Sequence, residues 1–123
     1  MKEELISFET AKLANEKGFD VISRYGTEAS LYNKNGEHTY YSNYGFMGSG
    51  LSDEYIYAPT QSLLQKWLRE KHNIHLIINV YKDDSYDFIL ISDLIKEESD
   101  DGLYYDSYEK ALEFGLQEAL KLI

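Results

Sequence analysis

The chain has no cysteine, a single proline and no long apolar run. Without cysteine there are no disulfides, zinc–thiolate sites, iron–sulfur clusters or cysteine nucleophiles. Proline occurs only at Pro59 and there is no Ser/Gly-rich or Pro-rich tract, so no linker divides the 123 residues. No stretch approaches the ~18 apolar residues of a membrane-spanning helix. Met1-Lys2-Glu3-Glu4 leads into mixed polar sequence rather than the apolar core of a secretory signal. The expected address is therefore the cytoplasm, with no membrane as partner. Positive charge is also scarce, with 12 Lys and Arg against 22 Asp and Glu and a net charge of −10. Residues 83–118 hold 12 of the acids and only Lys96 and Lys110 as bases. That balance repels a phosphate backbone and argues against direct nucleic-acid binding.

What is present suffices for a core. Leu, Ile, Val and Phe number 32, above the level at which high charge predicts disorder. A first helix is expected from Leu5 or Ser7 to Lys17, with Ile6, Thr10, Ala11, Leu13 and Ala14 on one side and Gly18 as its stop. Val21–Tyr25 is weakly strand-like. Ala29–Tyr32 and His38–Tyr41 flank Asn35-Gly36, a pair that favours a tight hairpin. Ser42–Ser52 reads as a loop. Thr60 is placed to cap a second helix, with Leu63, Leu64, Trp67 and Leu68 as its buried stripe and an end near His72-Asn73. Ile74–Tyr81 and Phe88–Ile95 are the strongest strands and are expected to be central, covered by helices on at least one side. In the first of them one face is fully apolar and the other mixed. Asp106 or Ser107 caps a last helix whose apolar face runs through Tyr108, Ala111, Leu112, Gly115, Leu116, Ala119, Leu122 and Ile123. Gly115, in mid-face, points to close approach of the helix to the sheet, since glycine otherwise costs roughly 1 kcal/mol there. The fold expected is a single α+β domain over residues 1–123. One antiparallel sheet of four to six strands carries three helices in the order α-β-β-α-β-β-α, with room for a short extra strand near Val21 or Leu103.

No catalytic constellation accompanies these elements. His72 and His75 have a spacing that binds metal on one helix, but Asn73-Ile74 is expected to break the helix between them. His38 completes the histidines. Gly45, Gly48 and Gly50 form no phosphate loop, because no Gly-Lys-Ser/Thr follows. Asp83-Asp84 and Asp100-Asp101 suit turns and lack the spacing of a twelve-residue calcium loop. Gly-x-Ser-x-Gly is missing. The expectation is a protein with no enzymatic activity, no metal and no cofactor.

The conspicuous excess is tyrosine, 12 in all. Tyr40, Tyr41, Tyr44, Tyr55 and Tyr57 cluster, and tyrosine joins a large ring to a wet hydroxyl, which suits recognition surfaces. Gln61, Gln65 and Arg69 fall on one helix face at i, i+4 and i+8, expected to be exposed, with Arg69 as anchor because arginine makes bidentate contacts. These eight residues are the candidate interaction surface. A second copy of the chain is also open as a partner, since tyrosine-rich strands with an unprotected edge can pair with a twin. A rival reading takes the acidic 83–118 segment as a DNA mimic that occupies a nucleic-acid-binding protein, and a third is a small-ligand or metal-binding protein with its site near His38, His72 or His75.

Two stretches carry a resemblance. One is Tyr57-Ala58-Pro59-Thr60-Gln61-Ser62-Leu63-Leu64-Gln65-Lys66-Trp67-Leu68-Arg69-Glu70-Lys71-His72-Asn73-Ile74. The other runs from Tyr105-Asp106-Ser107-Tyr108-Glu109-Lys110-Ala111-Leu112-Glu113 through Gly115-Leu116-Gln117-Glu118-Ala119-Leu120-Lys121-Leu122-Ile123. Together they resemble a group of short, uncharacterised proteins of tailed phages and prophages of gut Bacteroidetes. The resemblance implies a phage or mobile-element setting in a bacterial cytoplasm, with a host or phage protein as partner, and it implies no catalytic residue.

Overall fold

The structure, a computed structural model, describes residues 4–19, 29–41, 55–92, 96–98 and 104–123. The weak strand at Val21–Tyr25, the 42–52 loop with its glycines and Tyr44, and the extra strand near Leu103 lie outside them. The described elements are three helices and six strands, an α+β fold. The strand number falls within the range expected, but the strands form two antiparallel sheets of three rather than one sheet. The sheets belong to two compact units, Leu5–Pro59 and Thr60–Ile123 with Met1–Glu4.

In the first unit, α1 (Phe8–Glu16) starts where Ser7 Oγ accepts the Thr10 amide. It ends before Gly18, which takes φ +89°. Ile6, Thr10, Ala11 and Ala14 are buried. β1 (Ala29–Asn33) and β2 (His38–Tyr41) form a hairpin, and β3 (Tyr55–Tyr57) pairs with the other side of β1. The hairpin turn is not the two-residue form that Asn35-Gly36 favours. Gly36 alone of the pair has positive φ, its amide donates to Asn33 O, and the Asn33 amide donates to Glu37 O. That is a three-residue loop with glycine in the left-handed position. Tyr32 sits edge-on to Phe8, and its hydroxyl donates to Ile6 O at 2.6 Å.

In the second unit, Thr60 Oγ1 accepts the Leu63 amide and opens α2 (Gln61–His72). Asn73, left-handed at φ 53°, closes it. β4 (His75–Val80), β5 (Tyr86–Ile91) and β6 (Lys96–Glu98) follow in that order across the sheet. β5 is central, as expected. Among the described residues β4 is an edge strand, contrary to expectation, and the extra strand β6 takes the other side of β5. Ser107, rather than Asp106, caps α3 (Tyr108–Lys121), accepting the Lys110 amide, while Asp106 pairs with the Lys110 ammonium.

α3 packs on one face of this sheet. A Cβ on Gly115 would lie 2.6 Å from Leu76 Cδ1 and 3.2 Å from Phe88 Cγ. The glycine is thus the point of closest approach, as its place in the apolar stripe predicted. Ala111, Leu112, Leu116, Ala119 and Leu120 are buried along the same face, while Tyr108 and Ile123 at its ends are exposed. Among the described residues no helix is long and apolar enough to cross a membrane.

Candidate interaction surface

Of the surface expected from the sequence, Gln61 is buried, Tyr55, Tyr57 and Gln65 are half-buried and Arg69 is exposed. Gln61 is only 6% exposed, and its amide donates to Glu109 O at 2.9 Å and to Glu113 Oε1 at 3.0 Å, tying α2 to α3. Gln65 is half-buried and donates to Leu76 O at 2.8 Å. Neither lies on a wet face. The helix is rotated about its axis from the orientation its leucines suggested. Gln61, Leu64 and Leu68 are buried, whereas Leu63 is exposed and Trp67 only half-buried. Arg69 and Lys66, neighbours one turn apart, are left exposed on the side away from Leu64 and Leu68. The reason is that the two glutamines find backbone and carboxylate partners, which removes the usual penalty for burying an amide.

Tyr57 is half-buried in β3. Its amide donates to Asn15 Oδ1 at 3.3 Å and its carbonyl accepts from Asn15 Nδ2 at 3.2 Å. The Asn15 carboxamide thus stands in for a neighbouring strand on the outer edge of β3. Phe19 meets the Tyr57 ring edge-on. Tyr55 is also half-buried. Tyr40 and Tyr41 occupy register positions opposite Ser30 and Ala29 on β2. The histidines do not converge. His38 shares a hydrogen bond with Ser30 Oγ, the His72 ring lies 4.7 Å from Trp67, and His75 meets Asn73 Oδ1.

A different surface emerges on the second sheet. Residues directly opposed across antiparallel strands share a face. Leu76–Leu90 and Ile78–Phe88 are such pairs on the helix side. His75–Ile91, Ile77–Ile89 and Asn79–Asp87 lie on the other face, away from α3. Side chains there stay open: Ile77 is 45% exposed, Ile91 37%, Tyr81 41% and Tyr104 53%. Tyr81 and Tyr104 meet edge to face at 5.5 Å between centroids. Among them is one half-buried carboxylate. Asp87 accepts from Asn79 Nδ2 at 2.8 Å and from the Tyr81 hydroxyl at 2.9 Å. The turn explains the alignment. Tyr81 N donates to Ser85 O and Asp84 N to Tyr81 O, with Asp84 left-handed at φ 61°. This fixes the register that puts Asn79 opposite Asp87. The mixed face of Ile74–Val80 was the sequence signal for this surface. Its aromatic part was hidden because Tyr104 is far away in sequence. No family model, curated protein or solved structure matches the chain.

Proposed function

We propose that the protein is a small, acidic, non-enzymatic protein-binding module of phage or mobile-element origin. It acts in the bacterial cytoplasm and takes its partner on the open face of the β4-β5-β6 sheet. The observation that carries this reading is the exposure of Ile77, Ile91, Tyr81 and Tyr104 together on the side of the sheet away from α3. Isoleucine and tyrosine side chains left in water on either side of a polar Asn79–Asp87 pair are typical of a docking surface. The alternative, a DNA mimic, needs free carboxylates. Several in the acidic segment are engaged within the chain: Asp83 by Ser85, Asp87 by Asn79 and Tyr81, Asp106 by Lys110, Glu113 by Gln61 and Glu118 by Lys121. The protein-binding reading is therefore favoured.

The test compares capture by the tagged wild type, an Ile77→Asp/Ile91→Asp variant and Arg69→Ala, using one bacterial lysate and matched thermal melts. The face variant is expected to lose its captured protein at least about tenfold, roughly 1.4 kcal/mol, with little change in melting temperature. Loss on Arg69→Ala alone would move the surface to α2.

A further inference from the structure

We infer that the open face is an arginine-reading site: the Asp87 carboxylate, with the Tyr81–Tyr104 pair beside it, receives the guanidinium of an arginine in a partner protein segment. The inference rests on the protein-binding reading of this face and specifies what the partner must present.

The argument starts from Asp87. A half-buried carboxylate among apolar side chains needs strong partners. Asp87 has two neutral donors, the Asn79 amide on Oδ1 and the Tyr81 hydroxyl on Oδ2. Each oxygen has two acceptor sites, so each keeps one for a further donor. Among the described residues no cation is paired with Asp87. The two neutral bonds hold the carboxylate plane in place, as bidentate recognition requires.

The aromatic pair sets the choice of cation. The Tyr81 hydroxyl is on Asp87, so its ring starts beside the carboxylate. Tyr104 crosses Tyr81 at 88°, and both rings are exposed. A planar guanidinium can stack on a ring face while its N–H groups reach a neighbouring carboxylate, whereas an ammonium acts as a hydrated point charge. Ile77, Ile89 and Ile91 continue the face away from the aromatic end. The segment that fits carries an arginine with aliphatic residues on one side of it. Charge favours the same partner, because residues 83–118 are net negative by 10. That field attracts a basic segment and repels a second acidic copy of this chain.

The test is selection of a displayed random dodecapeptide library on the full-length protein. Selected peptides are then remeasured with arginine replaced by lysine or by neutral citrulline. Enrichment of arginine next to aliphatic residues is expected. Citrulline should weaken binding by tenfold or more, and lysine by several-fold. Asp87→Asn, which keeps the side chain's shape, should lower affinity for the arginine peptide about tenfold while leaving the citrulline peptide unchanged. Tyr104→Ala, at an exposed ring, should lower it several-fold. Peptides that lack arginine but lose binding on Ile77→Asp would overturn the arginine site and leave the docking face standing. Peptides indifferent to Asp87→Asn, Tyr104→Ala and Ile77→Asp alike, or no enrichment over bare support, would overturn both.

Discussion

The two units use the same local devices and close them differently. Each begins with a helix capped by a hydroxyl, Ser7 for α1 and Thr60 for α2. Each continues into a hairpin with a three-residue loop and a left-handed third residue, Gly36 in one and Asp84 in the other. Each then adds a third strand, but on opposite flanks: β3 joins β1, the first strand of its hairpin, and β6 joins β5, the second. The choice of flank decides which edge meets the helix. In both units a helix carboxamide seals that edge, Asn15 on β3 and Gln65 on β4. Asn15 holds both the amide and the carbonyl of Tyr57, in a strand of three residues. Gln65 holds only the Leu76 carbonyl, and β4 runs on to Val80, which is 62% exposed. Closure is thus a matter of how much of the edge one amide can reach. Among the described residues the second sheet leaves part of the β4 edge and the face away from α3 without a partner element, and the proposed docking surface is there.

The sharpest way to break this comparison is to remove the two amides. Asn15→Ala strands an amide and a carbonyl of Tyr57 and also loses a bond from Asn15 Nδ2 to Ala11 O at 2.8 Å. It should cost about 2–3 kcal/mol in urea denaturation, since each buried polar group left unpaired costs about 1–3 kcal/mol. Gln65→Ala frees a single carbonyl and should cost about 1 kcal/mol on the same scale. Equal losses would mean that the two edges are sealed alike.

Part of this was legible in the sequence. Helix caps, stops and the close approach at Gly115 follow from residue type and spacing alone, which is why Thr60, Gly18 and Gly115 do what they were expected to do. The class α+β followed from the same periodicities. The orientation of α2 did not, because a glutamine signals water only when it has no partner. Gln61 and Gln65 have partners on α3 and β4, 48 and 11 residues away. Two sheets in place of one were illegible for a similar reason. β3 and β6 are three residues each, too short for alternation to show, and pairing alone defines them. The placement of the surface residues was the least legible part. The backbone role of Tyr57, bonded to Asn15, was not visible in its side chain, and Asp87 looked like one acid among many until the register set it opposite Asn79.

The hairpins offer a smaller contrast, with opposite signs. Gly36→Ala places a Cβ at a left-handed residue, 3.0 Å from Phe8 Cδ2. The conformation alone costs about 1–2 kcal/mol, and the Phe8 ring must give as well. At the matching position Asp84→Gly relieves the same strain. It should raise stability by up to about 1 kcal/mol, less the entropy that glycine adds to the unfolded chain. Denaturation midpoints of the two variants should move in opposite directions. A loss in both would show that the Asp84 side chain contributes more to its turn than its backbone costs.

The smallest effect separates the hairpins by pH. Asn33 Oδ1 anchors the first loop by accepting the amides of Asn35 and Glu37, and an amide side chain does not titrate. In the second, Asp83 Oδ1 accepts the Ser85 hydroxyl at 2.6 Å and its amide at 3.3 Å. The Ser85 hydroxyl bond, opposed by desolvation and helped by the backbone amides of Ser85 and Asp83, holds the Asp83 carboxyl below its ordinary value. A lowered folded pKa means that the ionised form is favoured in the folded protein. Its contribution is complete above the ordinary aspartate range and fades as pH falls through that range to the lower folded value. Asp83 is exposed, so the gain is slight and belongs to the turn rather than to the whole fold. An NMR titration should place the Asp83 carboxyl carbon midpoint below the ordinary range, and Ser85→Ala should return it upward. Over the same acid range the amide shifts of Ser85 should move with that midpoint, while those of Asn35 and Glu37 should not follow it. An Asp83 midpoint unmoved by Ser85→Ala would mean that the second loop is held by its backbone bonds alone, and the two hairpins would then respond alike to acid.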